Sequence, residues 1–406
     1  MKPTKDKPTG SSASAEVSRI LQRSTESKED VMKFYAGSRK VSFLIVLVLG
    51  FLQLAFPALR AESAEAKTAA LQQLIDAAKA EGGRFIADAV IDDARGRKEA
   101  EIAMEKLFGF KVTWEAVDLM NQNQFASRLL KELQAGRQPS TDVFNGTQST
   151  IPRLMQGNAL ESVHNWQALL PRIPKEAIVG GGEALAERTR IGGFAYNTDQ
   201  VPANKVPKKM DDFLDPFWKG KLASTTYAAV WDRAGVRQDG TYDAEKAQRI
   251  AELLTELVKE KHIVGILRCG DESRISSGEF VGLALLCSQD TVELARRKGA
   301  PIQMAYLEET SNLTHSYLGL MKKAKYPNMA KLFMVFVQTA EGQSLLRKWE
   351  ATDTSFYPEN DMYKLVQILK KKNVDPPYID IPVYLKARKE VEKWKEVYQR
   401  ILLGQK

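Results

Sequence analysis

Between Ala66 and Gly146 the apolar residues switch repeatedly between two periods, and that alternation limits the possible folds more than any other feature. Leu71, Leu74, Ile75 and Ala78 recur at helical spacing, and Gly82-Gly83 ends the run. Arg84–Ile91 follows as a short apolar strand. Ala100, Ala103, Met104 and Leu107 repeat the helical period up to Gly109. Phe110, Val112 and Trp114 then alternate with polar residues, as in a strand with one buried face. Phe125, Leu129 and Leu133 share a helix face closed by Gly136, and Asp142-Val-Phe-Asn-Gly146 reads as strand and turn. Strand–helix–strand–helix–strand predicts a mostly parallel sheet covered by helices.

A second region begins after Ile191-Gly-Gly-Phe-Ala-Tyr-Asn-Thr198 and is punctuated by Pro202, Pro207 and Pro216. Trp218-Lys-Gly-Lys-Leu-Ala-Ser224 leads into a strand, and Ala247, Ile250, Leu254 and Leu257 form the stripe of a long helix. Phe280–Leu286 and Gln303–Tyr306 read as strands, and Asn328–Arg347 as one long helix. The tail 376–406 opens on Pro376-Pro377 and ends in a charged helix at Lys386–Ile401. Val391, Trp394, Tyr398 and Ile401 lie on one face of it, a docking face for the same chain. No internal repeat is present.

Ahead of all this, Arg39-Lys40 precedes an uncharged run, Val41–Phe56, and Ala64-Glu65-Ala66 offers a cleavage site. That layout predicts a secretory signal peptide over 32–66. The run is short for a membrane span, which needs about 20 apolar residues. Residues 1–31 are polar, aperiodic and expected to be disordered or untranslated, with Met32 as the start. Residues 1–61 hold ten Lys/Arg and five Asp/Glu, which leaves 49 and 46 beyond them, a net of +3. That balance makes no case for nucleic acid.

Cys269 and Cys287 are the only cysteines, and a disulfide and two buried thiols are both open for them. His164, His262 and His315 are far apart, and no metal, phosphate-loop, dinucleotide or nucleophile-elbow pattern occurs. The sequence therefore gives no positive sign of catalysis, of a cofactor or of a metal site.

Several segments carry a family resemblance. They are Leu74-Ile-Asp-Ala-Ala-Lys-Ala-Glu-Gly82, Glu105-Lys-Leu-Phe-Gly-Phe-Lys-Val112, Glu132-Leu-Gln-Ala-Gly136 with Asp142-Val-Phe144, and Gly193-Phe-Ala-Tyr-Asn-Thr198. Further along come Leu214-Asp-Pro-Phe-Trp-Lys-Gly-Lys221, Ser277-Gly-Glu279, Lys298-Gly-Ala-Pro301, Pro327-Asn-Met-Ala-Lys331 and Ala340-Glu-Gly-Gln343. In this order they resemble the periplasmic solute-binding proteins of ABC importers, in the class that includes the ferric-ion-binding proteins. The resemblance implies an α/β fold of two lobes, each a mostly parallel sheet flanked by helices, joined by crossing hinge strands. It places lobe one at 67–195 and 303–375, lobe two at 196–302, and a helical tail at 376–406. It implies a monomer in the periplasm, not an enzyme, that passes a small-molecule solute to an ABC permease in the inner membrane. Ferric-binding relatives use two adjacent tyrosines after the Ser-Gly-Glu strand. The corresponding positions here are Ser288 and Gln289, neutral hydrogen-bonding groups better suited to a small polar, anionic organic solute than to bare ferric iron. Ferric iron or an iron chelate is the alternative, and an enzyme or sensor component on the same fold is a second one.

Ligands of such sheets bind at the carboxyl ends of strands. In lobe one that selects Asp88 and Asp92, then Asn145, Gly146, Thr147, Gln148 and Ser149, a run of donors and acceptors where a helix begins. In lobe two it selects Thr225, Thr226, Tyr227 and Trp231, then Ser288, Gln289 and Asp290. Glu308, Glu309, Thr310 and His315 would line the rim.

Overall fold

The computed structural model describes residues 67–404, apart from 89, 118–120, 226–230, 269 and 287, and leaves the side chains of 283–286 aside. The expected signal peptide, the stretch 1–31, both cysteines, Thr226 and Tyr227 lie outside the described residues. Helix α1 (Ala69–Ala80) starts where the Thr68 hydroxyl accepts from Leu71 N, and it buries the stripe read from the sequence. Strand β1 (Arg84–Asp88), α2 (Ala94–Phe108), β2 (Thr113–Val117), α3 (Gln122–Gln134), β3 (Val143–Thr147) and α4 (Ile151–Gln156) follow in the predicted alternation. Gly109 ends α2 at φ 84°, a left-handed position that suits glycine.

After α5 (Trp166–Leu169) and β4 (Ile178–Val179) comes β5 (Ala184–Ile191), which crosses through Gly192 into β6 (Gly193–Asn197). Lobe two then adds β7 (Leu222–Thr225), α6 (Ala244–Lys259), β8 (Ile263–Leu267), α7 (Ser273–Ser276), β9 (Gly282–Leu286), α8 (Gln289–Arg297) and β10 (Ile302–Ala305). The chain returns through β11 (Leu313–Leu320), α9 (Pro327–Gln338), α10 (Ala340–Glu350) and α11 (Asp361–Lys371). It ends with β12 (Tyr378–Ile379) and α12 (Ile381–Leu402).

Two sheets result. The first has the order β2-β1-β3-β11-β5-β4, with β12 on β11; the second has the order β10-β6-β9-β7-β8. The parallel sets are β2-β1-β3 and β8-β7-β9. The crossing strands β5, β6 and β10 run antiparallel to their neighbours, and β11 runs antiparallel to β3 and β5 but parallel to β12, because each carries the chain into or out of a lobe. Register fixes the geometry that matters. Thr147 pairs with Ser316 and Leu313 with Ile191, so the carboxyl ends of β1, β2 and β3 lie at the edge where the chain crosses. Gly193 pairs with Leu286, so the carboxyl ends of β7, β8 and β9 point back at that edge. The two sheets thus present their carboxyl ends to each other.

Lobe one packs Phe85 against Phe333 at 4.6 Å, with Trp114 4.8 Å from Phe333. Lobe two packs Phe194 edge-on against Phe213 and Trp218. The tail stripe Trp394, Tyr398 and Leu402 joins the lobe-two core, while Ile381 at the start of α12 belongs to the lobe-one core.

One expectation needs correction. Asn328–Arg347 is not one helix: Thr339 is extended (φ −71°, ψ 161°) and its hydroxyl accepts from Gly342 N to open α10. The chain turns so tightly there that a Cβ on Gly342 would lie 2.1 Å from the Phe336 carbonyl oxygen. Apolar period alone hid the break, because both helices bury the same kind of stripe.

Candidate functional site

The turn from β3 to α4 is built by its own side chains. Thr150 Oγ1 accepts from Thr147 N at 2.8 Å, and the Thr147 and Ser149 hydroxyls share a hydrogen bond of 2.9 Å. Gly146 has no room for a side chain, since a Cβ would meet the Phe144 ring at 2.5 Å. Asn145 is buried and donates to Glu187 Oε1 at 3.3 Å. Gln148 is buried with its Nε2 unpartnered among the described residues. Thr147 is half-buried and Ser149 exposed. Asp88 is buried at the end of β1, and Asp92 N donates to Glu350 Oε1.

In lobe two, Thr225 is buried at the end of β7. Trp231 is fully buried and donates its indole N–H to Ser224 Oγ at 3.1 Å, inside its own lobe. Ser288, Gln289 and Asp290 lie together at the crossing strands. Gln289 Oε1 accepts from Ile191 N at 2.7 Å, and its Nε2 donates to Thr352 Oγ1 at 3.2 Å. Asp290 takes the Arg190 Nε–H at 2.8 Å and the Ser288 hydroxyl, while Arg190 also donates to Ser316 Oγ. Burial pushes the Asp290 carboxyl up, but the Arg190 charge and the Ser288 hydrogen bond outweigh it and hold the group below its usual range.

Beside this clasp lies a buried ionic cluster on β5. Arg188 donates to Glu187 Oε1 at 2.6 Å, reaches Glu350 Oε2 at 3.4 Å and donates to the Val90 carbonyl oxygen. Burial opposes its charge, but Glu187 and Glu350 more than offset that and raise its pKa. Among the rim residues, Glu309 Oε2 accepts from Met210 N, and Thr310 is buried. His315 is also buried, stacked on Phe356 and Tyr378 and bonded to Thr189 Oγ1. Burial lowers its pKa to about 4, so it is neutral at physiological pH.

A separate groove of about 530 Å³ opens between the lobes. Lobe one contributes Asn123, Ser149, Arg153 and Gln156, and lobe two contributes Asp232 and Arg233. The outer wall comes from α12, with Tyr384, Arg388, Val391, Glu392 and Lys395. Asp232 is only 4% exposed and its Oδ1 has no partner among the described residues. Burial pushes its pKa up to about 7, against the pull of Arg233 and Lys395. Arg233 Nε is likewise buried without a partner among the described residues. Four basic side chains against two acidic ones give the groove a positive balance.

Of the candidates read from the sequence that are among the described residues, this groove gathers only Ser149. Asn145 sits behind it on Glu187, and Ser288, Gln289 and Asp290 are drawn to the crossing strands. Arg153, Asp232, Arg233, Arg388 and Lys395 were missed, because charged residues in amphipathic helices and loops read as solvated surface. The one available signal was position: Trp231-Asp-Arg233 closely follows the carboxyl end of β7. Among the described residues, no three His, Cys, Asp or Glu side chains converge as a metal site, and no helix is long and apolar enough to cross a membrane.

Residues 102–371 match the model of a family described as bacterial extracellular solute-binding proteins. No curated protein matches the chain. Solved structures do share the fold. Iron-bound HitA from Pseudomonas aeruginosa aligns at a TM-score of 0.57 and 18% identity, covering 77% of this chain and 99% of its own. The substrate-binding protein of an ABC transporter from Agrobacterium tumefaciens aligns at 0.61 and 14%, covering 78% and 94%. AfuA from Actinobacillus pleuropneumoniae, with exogenous fructose-6-phosphate bound, aligns at 0.55 and 19%, covering 78% and 98%.

Proposed function

Because the chain belongs to the bacterial extracellular solute-binding protein family, we propose that it captures a small polar, anionic organic solute between its lobes and delivers it to an ABC permease in the inner membrane. The observation that carries this reading is the cationic groove, lined by Arg153 from lobe one and Arg233 from lobe two. A solute that touches both cations is held fully only when the lobes approach, so binding favours the closed arrangement. Guanidinium groups suit this task, since they pair with carboxylate or phosphate through two parallel hydrogen bonds. The protein acts in the periplasm as a monomer, without nucleic acid and without turnover of its cargo.

Ferric iron fits less well. Ser288 and Gln289, which the resemblance sets at the positions of the tyrosine pair in ferric-binding relatives, have side chains engaged with Asp290, Ile191 N and Thr352.

A thermal-shift screen of the purified protein, followed by calorimetry, tests the reading. Organic anions should raise the melting temperature by mass action, and Arg153→Ala should weaken the tightest of them about tenfold or more. A neutral sugar, a cation or ferric ion as the only stabilising solute would overturn it.

A further inference from the structure

The family match ends at residue 371, yet the groove is not closed without the chain beyond it. After β12 joins the lobe-one sheet on β11, α12 crosses to lobe two and docks by Trp394, Tyr398 and Leu402. Tyr398 OH donates to the Ala247 carbonyl oxygen of α6, and Lys386 Nζ to the Asp239 carbonyl oxygen, which fixes the helix along its length. So held, α12 turns Arg388 and Lys395 toward the groove. Glu392 takes the Nε–H of Arg388, and among the described residues its terminal nitrogens make no hydrogen bond and are open to a ligand. Lys395 is exposed. Neither cation is needed to hold the helix in place.

The floor of the groove adds a second chemical requirement. Asp232 is more than nine-tenths buried, lines the groove and has an Oδ1 with no partner among the described residues. A buried oxygen without a partner is costly, so its natural complement is a donor brought in by a ligand. With four cations around it, an ammonium group is a poor donor here and a hydroxyl a good one.

We infer that α12 is a working wall of the solute site, with Arg388 and Lys395 holding the charged groups of a hydroxylated organic polyanion whose hydroxyl donates to Asp232. The inference rests on the capture of an anion between the lobes and goes further, naming the class of solute and a binding role for the tail. Each part of the ligand meets its own group: charge meets α12 and α4, and hydroxyl meets Asp232.

Two probes differing by one hydroxyl separate these claims: citrate, and tricarballylate, which lacks it. Calorimetry on the full chain in metal-free buffer should show citrate binding about tenfold more tightly than tricarballylate. Asp232→Ala should bring citrate down to the tricarballylate level, and Asp232→Asn, which keeps an acceptor oxygen, should preserve much of the preference. Arg388→Ala with Lys395→Ala should weaken both anions tenfold or more without lowering the melting temperature. Should Asp232→Ala fail to fold, the matched pair on the unaltered protein and the α12 double variant still decide. Equal affinity for the two anions, or no binding of either, overturns the assigned class. Citrate bound unchanged by the α12 double variant but weakened by Arg153→Ala removes the tail from the site and leaves interlobe capture standing.

Discussion

His315 and Asp232 are both buried and titratable, and they give stability opposite slopes with pH. The folded His315 resists protonation down to about pH 4, while an unfolded histidine takes its proton near 6.5. Stability is therefore lost as pH falls across that window, by about 2 kcal/mol between pH 7 and 5. His315→Phe, which can keep the stack on Phe356 and Tyr378, should flatten this loss in denaturant titrations at the two pH values. Asp232 works the other way. An unfolded carboxyl ionises near 3.8, whereas the folded one keeps its proton to about 7, so stability falls as pH rises between those values. Asp232→Asn should be more stable than the parent at pH 8, by more than about 1 kcal/mol, and the gain should vanish below pH 4. A gain independent of pH would mean that burial is not the cause. Metal chemistry is testable at the same scale: with Ser288 and Gln289 engaged, ferric citrate should give no visible phenolate charge-transfer band. A coloured stoichiometric complex would restore the iron reading.

At the scale of elements, several motifs that carried the family resemblance turn out to hold the scaffold. Glu81, from the helix that ends in Ala-Glu-Gly82, caps α9 from across the lobe: its carboxylate accepts from Asn328 N at 3.0 Å, Met329 N at 2.9 Å and Asn328 Nδ2 at 2.7 Å. An anion at a helix N-terminus meets both free N–H groups and the positive dipole end. Glu81→Gln should therefore cost about 1–2 kcal/mol in chemical denaturation, and Glu81→Ala somewhat more. Asp142 likewise takes Ile86 N and Tyr326 N, tying the sheet to the start of α9. Gln343 bridges the Glu187 carbonyl oxygen and Thr354 N. This explains what was legible. The α1–β3 alternation and the tail stripe could be read because their apolar periods are regular. Strand β5 could not, since Glu187, Arg188 and Thr189 are polar and yet buried, each bonded to a partner distant in sequence. The turn Asn145–Ser149 was visible as a polar run after an apolar strand. The groove cations were not, because only the folded chain brings α4, Arg233 and α12 together.

For the whole molecule, the lobes are linked by Gly192, by residues 306–312 and by the passage from β12 into α12. Side chains add a clasp on α8. Gln289 binds Ile191 N and Thr352, Asp290 binds Arg190, and Arg297 donates to the Arg347 and Lys348 carbonyl oxygens of lobe one. With α8 fastened to lobe one, a rotation of the lobes is expected to pivot there and to change the width of the groove lined by α12. Gln289 is then the side chain that most directly couples the crossing strand to both lobes. Gln289→Ala removes its contacts to Ile191 N and Thr352 without touching the groove. It should shift the solute-free protein toward more open arrangements, raising its radius of gyration in small-angle scattering. Apparent affinity for an anionic solute should fall about three- to tenfold, because the binding-competent fraction is smaller. At saturating solute the variant should match the parent in size, since the bound form is unchanged. A lower affinity with an unaltered solute-free size would instead place Gln289 in direct contact with the solute. An unchanged affinity and size would show that the lobes do not pivot on α8.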